Sequence, residues 1–288
     1  MQHLKWMLCA TLLLSMAGCS ASLANLLFPS LAPELLDPPP LPMGPYAVRE
    51  RRVDVDDLGD GRPGGLTLFE PLGAPGPCPA LIWVLGVHHK AHYQQSLHEY
   101  LASWGYVGVV PDTRRLHLMD FHYHGKNVAN AARSLDRALS GELGIEVDPA
   151  RVAFGGYSVG ATQAALAAAE EPHAAALVLW APVRASFWRG VDPEESMGQV
   201  TAPTLFLLGE LDTGASPDGW PAAMAKDMTT TALTATTILP QGVHLFFQQP
   251  SALDEANPPT TATRIEQLRA AMAETRSFLD SELGVRAP

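Results

Sequence analysis

The segment that most constrains the fold lies at residues 152–161, where a short apolar run leads into a glycine-rich turn and then an alanine-rich helical stretch. It contains the sequence Gly156-Tyr157-Ser158-Val159-Gly160, with glycine two residues before and two residues after the serine. A strand that turns directly into a helix leaves the residue at the turn in a strained backbone conformation, and glycine at both flanking positions avoids a collision with it. The pattern predicts that Ser158 is lifted into a cleft at the carboxyl end of a sheet, as a candidate nucleophile.

Short apolar and β-branched runs alternate with helical patterns along most of the chain. Strands are predicted at 48–55, 66–71, 80–85, 107–111, 152–155, 176–180, 204–208 and 233–239, and helices at 94–103, 126–140, 159–169, 220–229 and 263–283. The first strands follow one another through Gly/Pro turns, whereas each later strand is followed by a helix. This order favours an α/β fold with a mostly parallel eight-stranded sheet, antiparallel at its start and covered by helices on both faces.

Composition and charge exclude several classes of protein. The chain has 288 residues, of which 47% are hydrophobic, and this is enough to bury a large core. It carries 19 Lys and Arg against 30 Asp and Glu, a formal net charge of −11. A nucleic-acid partner is not expected, because a phosphate backbone requires a basic face. Three cysteines cannot form a disulfide framework.

The N-terminus has the layout of a secretory signal, with Lys5 ahead of about a dozen apolar residues and a small-residue cleavage site. Met16-Ala17-Gly18-Cys19 resembles the lipobox of bacterial lipoproteins, which usually has Leu where Met16 stands. The resemblance implies a signal peptide at 1–18, lipidation of Cys19, a membrane partner through an N-terminal lipid anchor, and a place in the bacterial cell envelope, at the outer membrane or periplasm of a Gram-negative cell. An ordinary signal peptide with an incidental Cys is the alternative.

The segment that follows, 19–45, is rich in proline and is predicted to be a semi-rigid tether. The alternative is a proline arm that packs against the folded domain. Residues 46–288 are then predicted to form a single catalytic domain.

A serine nucleophile needs a base, and the base needs a carboxylate that orients it. In this architecture the acid and then the base follow the serine along the chain. His244 lies just past the last predicted strand and is preferred as the base to His173, which ends the helix after the serine. Asp212 and Glu210 both follow the strand at 204–208, and Asp212 is preferred because it lies in the loop.

Two backbone N–H groups are expected to form an oxyanion hole, which binds the negatively charged oxygen of the intermediate. Val159 begins the helix behind the serine, so its N–H and the helix dipole point to the same place. The second N–H should come from the loop after the third strand, where Val87 follows Gly86.

With these residues the chain resembles the α/β-hydrolase superfamily, within the lidless branch of dienelactone hydrolases, platelet-activating-factor acetylhydrolase-like enzymes and cutinase-like polyester hydrolases. The likeness extends from about residue 79 to residue 279. It is carried by Leu85-Gly86-Val87, the block from Leu101-Ala102-Ser103-Trp104-Gly105-Tyr106-Val107 to Pro111-Asp112-Thr113, the serine turn, Val200-Thr201-Ala202-Pro203-Thr204-Leu205 and Gly242-Val243-His244. It implies the same roles for Ser158, Asp212 and His244, and an oxyanion hole formed by the N–H groups of Val87 and Val159.

The resemblance has departures that bear on the substrate. Dienelactone hydrolases carry Cys as the nucleophile, and Ser158 points instead to ester hydrolysis. Polyester hydrolases usually have an aromatic residue where Val87 stands, a Trp or His where Tyr157 stands, and a Trp near Val183. Because two of these three aromatic positions are missing, cleavage of a polymer is not expected. Residues 181–200 are too few for a lid domain, so an open cleft is expected. Its candidate substrate-binding residues are His88, Tyr157, Phe187 and Trp188.

Seven of the ten histidines fall between residues 88 and 124, and the loops that hold them open toward the predicted cleft. A metal site, a polar rim for the substrate and an incidental polar surface remain open as explanations. No metal and no cofactor are predicted, because no Cys or clustered carboxylates accompany these histidines.

The function expected from these features is hydrolysis of a small-molecule carboxylic ester through an acyl-enzyme, by a monomer. A non-catalytic binding lipoprotein of the same fold, or a peptidase or lactonase of that fold, is the alternative.

Overall fold

A computed structural model describes residues 41–58, 61–87, 89–113, 122–184, 196–231, 233–248 and 257–285, with the backbone alone at 122–124. The predicted signal peptide, Cys19 and most of the predicted tether lie outside the described residues. Within the described ranges, no helix has the length and apolar character needed to cross a membrane.

Eight strands form one sheet. They are β1 (Ala47–Val55), β2 (Gly64–Leu72), β3 (Cys78–Val84), β4 (Val107–Pro111), β5 (Val147–Tyr157), β6 (Ala174–Trp180), β7 (Thr204–Gly209) and β8 (Thr234–Leu239). Their order across the sheet is β1-β2-β4-β3-β5-β6-β7-β8. β2 pairs antiparallel with both β1 and β4, and the pairs from β4 to β8 are all parallel. The predicted α/β fold, with an antiparallel start and a parallel remainder, is confirmed.

Helices cover the two faces of this sheet. They are α1 (Gln95–Ser103), α2 (His122–Leu139), α3 (Val159–Glu170), α4 (Trp220–Asp227) and α5 (Arg264–Glu282). One apolar layer of the core contains side chains of α2, α3 and α4, and the other contains side chains of α1 and α5. β3, β4 and β7 are buried along their whole length, as expected for strands covered on both faces.

The chain enters the domain earlier than residue 46. The Gly44 N–H donates to the Ser103 hydroxyl (2.9 Å), the Tyr46 N–H donates to the Ser103 carbonyl (3.1 Å), and Leu41 packs against the core. The described end of the predicted tether thus contacts the domain through Leu41 and Gly44, whereas Pro42, Met43 and Pro45 are exposed. Ser103 ends α1 and precedes β4, so this entry point lies at the edge of the sheet where the parallel strands begin.

β5 is longer than the sequence indicated, because it starts at Val147 rather than at residue 152 and ends at Tyr157 rather than at residue 155. Val147 pairs with Cys78 of β3, and the register shifts before the next pair, Ala80 with Val152. The polar and proline residues between these two pairs hide the first part of the strand from a search for apolar runs.

Candidate active site

Ser158 stands at the turn between β5 and α3, with backbone angles of φ 59° and ψ −127°. This conformation is unusual for a residue with a side chain. The two flanking glycines explain how the turn fits. A Cβ on Gly156 would lie 2.5 Å from the Gly160 carbonyl oxygen, and a Cβ on Gly160 would lie 2.3 Å from the Val84 carbonyl oxygen. The turn thus packs directly against the end of β3, with Ser158 partly exposed at the carboxyl edge of the sheet.

The structure brings Ser158, His244 and Asp212 into one hydrogen-bonded line. His244 Nε2 lies 3.0 Å from the Ser158 hydroxyl, and His244 Nδ1 lies 2.7 Å from Asp212 Oδ2. With the ring proton on Nδ1, where the carboxylate accepts it, Nε2 presents a lone pair to the hydroxyl. The arrangement can therefore remove the hydroxyl proton of Ser158 and hold the resulting imidazolium against Asp212.

Asp212 is held rigidly by its own backbone turn. Its Oδ1 accepts the N–H groups of Gly214 and Ala215, both at 2.8 Å, which leaves Oδ2 for His244. The Asp212 side chain is 0% exposed, whereas that of His244 is 22% exposed. A buried carboxylate with three donors can orient an imidazole without rearranging.

The alternatives for acid and base lie elsewhere. Glu210 is exposed, and its Oε2 accepts the backbone N–H (2.7 Å) and the side-chain amide (3.2 Å) of Gln241. His173 is exposed and immediately precedes β6, so it lies at the opposite edge of the sheet from Ser158.

The predicted oxyanion donors lie on the two elements that meet behind Ser158. Val159 is the first residue of α3, where backbone N–H groups have no partner within the helix. Val87 lies in the turn after β3, which is closed by a hydrogen bond from the His89 N–H to the Gly86 carbonyl (3.2 Å). The role of both N–H groups stays a prediction from the sequence.

Tyr157, a candidate substrate-binding residue, lies buried beside the site, and its contact with substrate stays a prediction from the sequence. It is 1% exposed, and its hydroxyl donates to the His244 carbonyl at 2.9 Å. Its ring packs against those of His89 and His244, each with centroids 5.2 Å away. The other three candidates for substrate contact, His88, Phe187 and Trp188, lie outside the described residues.

A series of hydrogen bonds links the backbone of Ser158 to the segment after β6, to α3 and to α4. The sequence analysis did not anticipate this series. The Val183 N–H donates to the Ser158 carbonyl (3.2 Å), the Thr162 hydroxyl donates to the Val183 carbonyl (2.9 Å), and Trp220 Nε1 donates to the Thr162 hydroxyl (3.2 Å). Arg184 lies over the Trp220 ring, 5.3 Å from its centroid. Trp220 of α4, a helix that no local motif marks as functional, is thus linked to the Ser158 backbone through Thr162 and Val183.

Gln267 of α5 is a second residue that sequence analysis missed. Its side-chain amide accepts the Val243 N–H (2.8 Å) and donates to the Val243 carbonyl (2.7 Å), directly before His244. Gln267 falls in the same row of α5 as the buried Ala271 and Thr275. A polar residue in a buried row was the available signal.

The described histidines between residues 88 and 124 lie in two places, beside the candidate active site and in the apolar core. His89 stacks between Tyr93 and Tyr157. His98 is fully buried beside the rings of Phe69 and Trp83, and burial lowers its pKa to about 3. Burial, and after it the charge of Lys90, lower the pKa of His92.

In the ranges that the structure describes, no group of three or more His, Cys, Asp or Glu side chains could hold a metal ion. The side chains of His88, His117, His122 and His124 lie outside those ranges.

Comparison with known proteins agrees with this architecture. The family model for PETase, PET hydrolase-like proteins, matches residues 40–255. No sequence among the curated proteins matches the chain significantly.

Two solved structures share the fold at low sequence identity. One belongs to a study of two fungal esterases from Rhizomucor miehei, with a TM-score of 0.63, 14% identity and coverage of 84% of this chain and 86% of that chain. The other is a putative dienelactone hydrolase from Klebsiella pneumoniae subsp. pneumoniae MGH 78578, with a TM-score of 0.60, 18% identity and coverage of 83% and 100%. Because the family match covers most of the sequence, and the sheet order and serine turn agree with it, the chain belongs to the PET hydrolase-like family of α/β-hydrolases.

Proposed function

We propose that the protein is a serine hydrolase that cleaves carboxylic esters through an acyl-enzyme intermediate. The observation that carries the proposal is the line from Asp212 through His244 to the Ser158 hydroxyl, at 2.7 and 3.0 Å. Family membership supports ester hydrolysis in general terms. The two solved relatives are called an esterase and a dienelactone hydrolase, but at their low identity they support only the fold.

In the proposed reaction, Ser158 Oγ attacks the ester carbonyl while His244 Nε2 takes the hydroxyl proton. Asp212 holds the imidazolium, and the N–H groups of Val159 and Val87 bind the oxyanion. His244 then gives the proton to the leaving alcohol. Water activated by the same imidazole attacks the acyl-enzyme, which releases the carboxylic acid and restores Ser158.

The test uses full-length protein, a series of p-nitrophenyl esters and a fluorophosphonate probe. The wild type is expected to hydrolyse the esters and to be labelled once, whereas Ser158→Ala loses both properties. Ser281→Ala, which changes an exposed serine of α5, should retain both. Equal hydrolysis by Ser158→Ala would refute the assignment, and a wild type that neither hydrolyses nor labels would favour a non-catalytic binding protein.

A polyester is the second candidate substrate, because the matching family is described as PET hydrolase-like. Val183, whose N–H donates to the Ser158 carbonyl, stands close to the site where the polyester hydrolases carry Trp. We therefore place a small soluble ester first. Release of soluble acids from polyester film, compared with p-nitrophenyl ester hydrolysis by the same sample, separates the two candidates. A parallel panel of lactones and peptides tests the other reactions that this fold supports.

We also propose that the mature chain begins at Cys19 and is anchored in the bacterial cell envelope by lipid. The support is the sequence Met16-Ala17-Gly18-Cys19 after an apolar stretch. Wild-type protein is expected in the membrane fraction of expressing bacteria and Cys19→Ala in the soluble or unprocessed pool. Wild-type protein without an acyl modification at Cys19, judged by mass spectrometry, would contradict the anchor.

A further inference from the structure

His244 stands on a loop whose backbone needs outside support. This His244 loop, residues 243–248, contains the short 3₁₀ turn His244–Phe247 between β8 and α5. Within the turn, the Phe246 N–H donates to the Val243 carbonyl at 3.3 Å. A segment this short satisfies few of its own backbone groups, so partners from other elements must hold it.

Three side chains supply that support at backbone atoms. Gln267 binds both the N–H and the carbonyl of Val243, at 2.8 and 2.7 Å. Arg264 donates to the Leu245 carbonyl at 2.6 Å and also to the Gln248 carbonyl. The Tyr157 hydroxyl binds the carbonyl of His244 itself at 2.9 Å. The peptide before His244 is thus held by Gln267 of α5, and the peptide after it by Tyr157 at the end of β5.

The contact made by Gln267 is the most constraining of the three. Its amide pairs with the N–H and the carbonyl of one residue, Val243, as a residue of a neighbouring antiparallel strand would, with one donor and one acceptor. Gln267 is 3% exposed, so loss of this pair would leave both Val243 groups without a partner away from water. The family match ends at residue 255, before α5 begins at Arg264.

We propose that Gln267 is a positioning residue for the base His244, with Arg264 as a second anchor on the same helix. By fixing the two peptide groups that flank Val243, Gln267 sets the direction in which the imidazole of His244 leaves the backbone, so that one ring nitrogen meets Asp212 and the other meets Ser158. The inference rests on the proposed function, since a base needs this alignment for proton transfer.

The test compares full-length Gln267→Met with Tyr106→Phe. Gln267→Met keeps the length of the side chain and removes both hydrogen bonds. Tyr106→Phe removes the hydrogen bond from the buried Tyr106 hydroxyl to Asp280 (2.7 Å), which ties the opposite end of α5. Both variants weaken the attachment of α5, but only the first touches the His244 loop.

Gln267→Met is expected to lower kcat about ten-fold to a hundred-fold with little change in KM, since small displacements of a catalytic group cost this much. Tyr106→Phe should keep the wild-type kcat even if its Tm falls by as much as the Tm of Gln267→Met. Should Gln267→Met fail to fold, Arg264→Met provides the same comparison and should lower kcat in the same direction. An unchanged kcat in Gln267→Met, or an equal fall in Tyr106→Phe, would overturn the proposal.

A second measurement does not depend on activity. The low-field proton NMR signal of the imidazole N–H bound to Asp212, assigned by its absence in His244→Gln, should shift or broaden in Gln267→Met and stay in Tyr106→Phe. If the wild type hydrolyses no ester, the proposed function fails while this signal still tests the positioning role. A signal that is identical in wild type and Gln267→Met would refute that role.

Discussion

At the scale of single residues, the direction of a side chain decides its role. Asp212 and Glu210 are two residues apart at the end of β7, yet only Asp212 turns inward, where the Gly214 and Ala215 N–H groups hold it. Glu210 turns outward to Gln241. Both carboxylates lie between Ser158 and His244 in the chain, which is the order that the sequence argument required. The backbone turn after residue 212 distinguishes the two, because its N–H groups bind Asp212 and not Glu210.

Replacing Asp212 by Asn should lower kcat by about 10⁴-fold, because the amide no longer fixes the imidazole tautomer or stabilises its charge. Glu210→Gln removes a negative charge only two residues before Asp212 and should leave kcat at the wild-type value. Steady-state kinetics on one p-nitrophenyl ester measures both. A large loss in Glu210→Gln with little loss in Asp212→Asn would reverse the assignment.

His98 should make the stability of the protein depend on pH. Burial lowers its pKa in the folded state to about 3 from the ordinary value of 6.5, so the ring stays neutral in the fold while the unfolded chain takes up a proton below pH 6.5. Its stability contribution is therefore complete above pH 6.5 and is lost as the pH falls toward 3. Between pH 7 and pH 5 the loss should be about 2 kcal/mol.

His98→Leu should remove this part of the pH dependence. Urea unfolding at pH 7 and pH 5 is the measurement, and His173→Gln, at an exposed histidine, is the control that should keep the wild-type difference. If the free energy of unfolding of His98→Leu falls as much between pH 7 and pH 5 as that of the wild type, His98 is not the source of this pH dependence.

At the scale of elements, the position of Ser158 depends on the close contact between the start of α3 and the end of β3. Gly160 is the contact point, since a Cβ there would lie 2.3 Å from the Val84 carbonyl oxygen and 2.4 Å from the Leu85 carbonyl oxygen. The same loop after β3 carries Val87. Any added atom at Gly160 must therefore move either the turn that holds Ser158 or the loop that holds Val87.

Gly160→Ala is expected to destabilise the protein by about 1–3 kcal/mol through overpacking and to lower kcat as well. Gly125→Ala in α2 is the matched control, because a Cβ at Gly125 meets nothing within 4 Å. That variant should gain about 0.5–1 kcal/mol, since alanine is a better helix former than glycine. Urea denaturation and ester kinetics on both variants check the pair, and equal behaviour would argue against the close contact.

Sequence patterns placed the elements well where strands are buried on both faces. The apolar runs predicted β4 and β7 within a residue, because such strands need continuous apolar side chains. They missed the start of β5 at Val147, where Asp148 and Pro149 interrupt the run. Pairing with Cys78 extends this strand, and only the neighbouring strand can supply that information.

At the scale of the whole molecule, the chain enters the domain at the edge opposite Ser158. Ser103 receives the backbone of Gly44 and Tyr46 where α1 ends, while Ser158 follows the carboxyl end of β5. Residues 41–46 therefore contribute to the stability of the domain rather than to the edge that carries the site.

A protein that starts at residue 41 should be more stable than one that starts at residue 47 by about 2 to 4 kcal/mol, from two hydrogen bonds and the packing of Leu41. Both should hydrolyse the same ester with similar kcat at a temperature where both are folded. Urea unfolding gives the difference in stability. Equal midpoints would show that this segment is not part of the stable domain.

The sequence by itself determined the class of the fold and singled out Ser158 as the candidate nucleophile, because the period of apolar residues and the spacing of two glycines are local properties of the chain. It also narrowed the base to His244 or His173 and the acid to Asp212 or Glu210 by their order after strands. The sequence preferred His244 and Asp212, and only the tertiary structure showed that these two meet Ser158 in one hydrogen-bonded line, since that depends on which side chains meet across the loops after β7 and β8. The tertiary structure likewise revealed the hold of Gln267 on Val243, because hydrogen bonds between residues far apart in sequence leave no pattern in either segment.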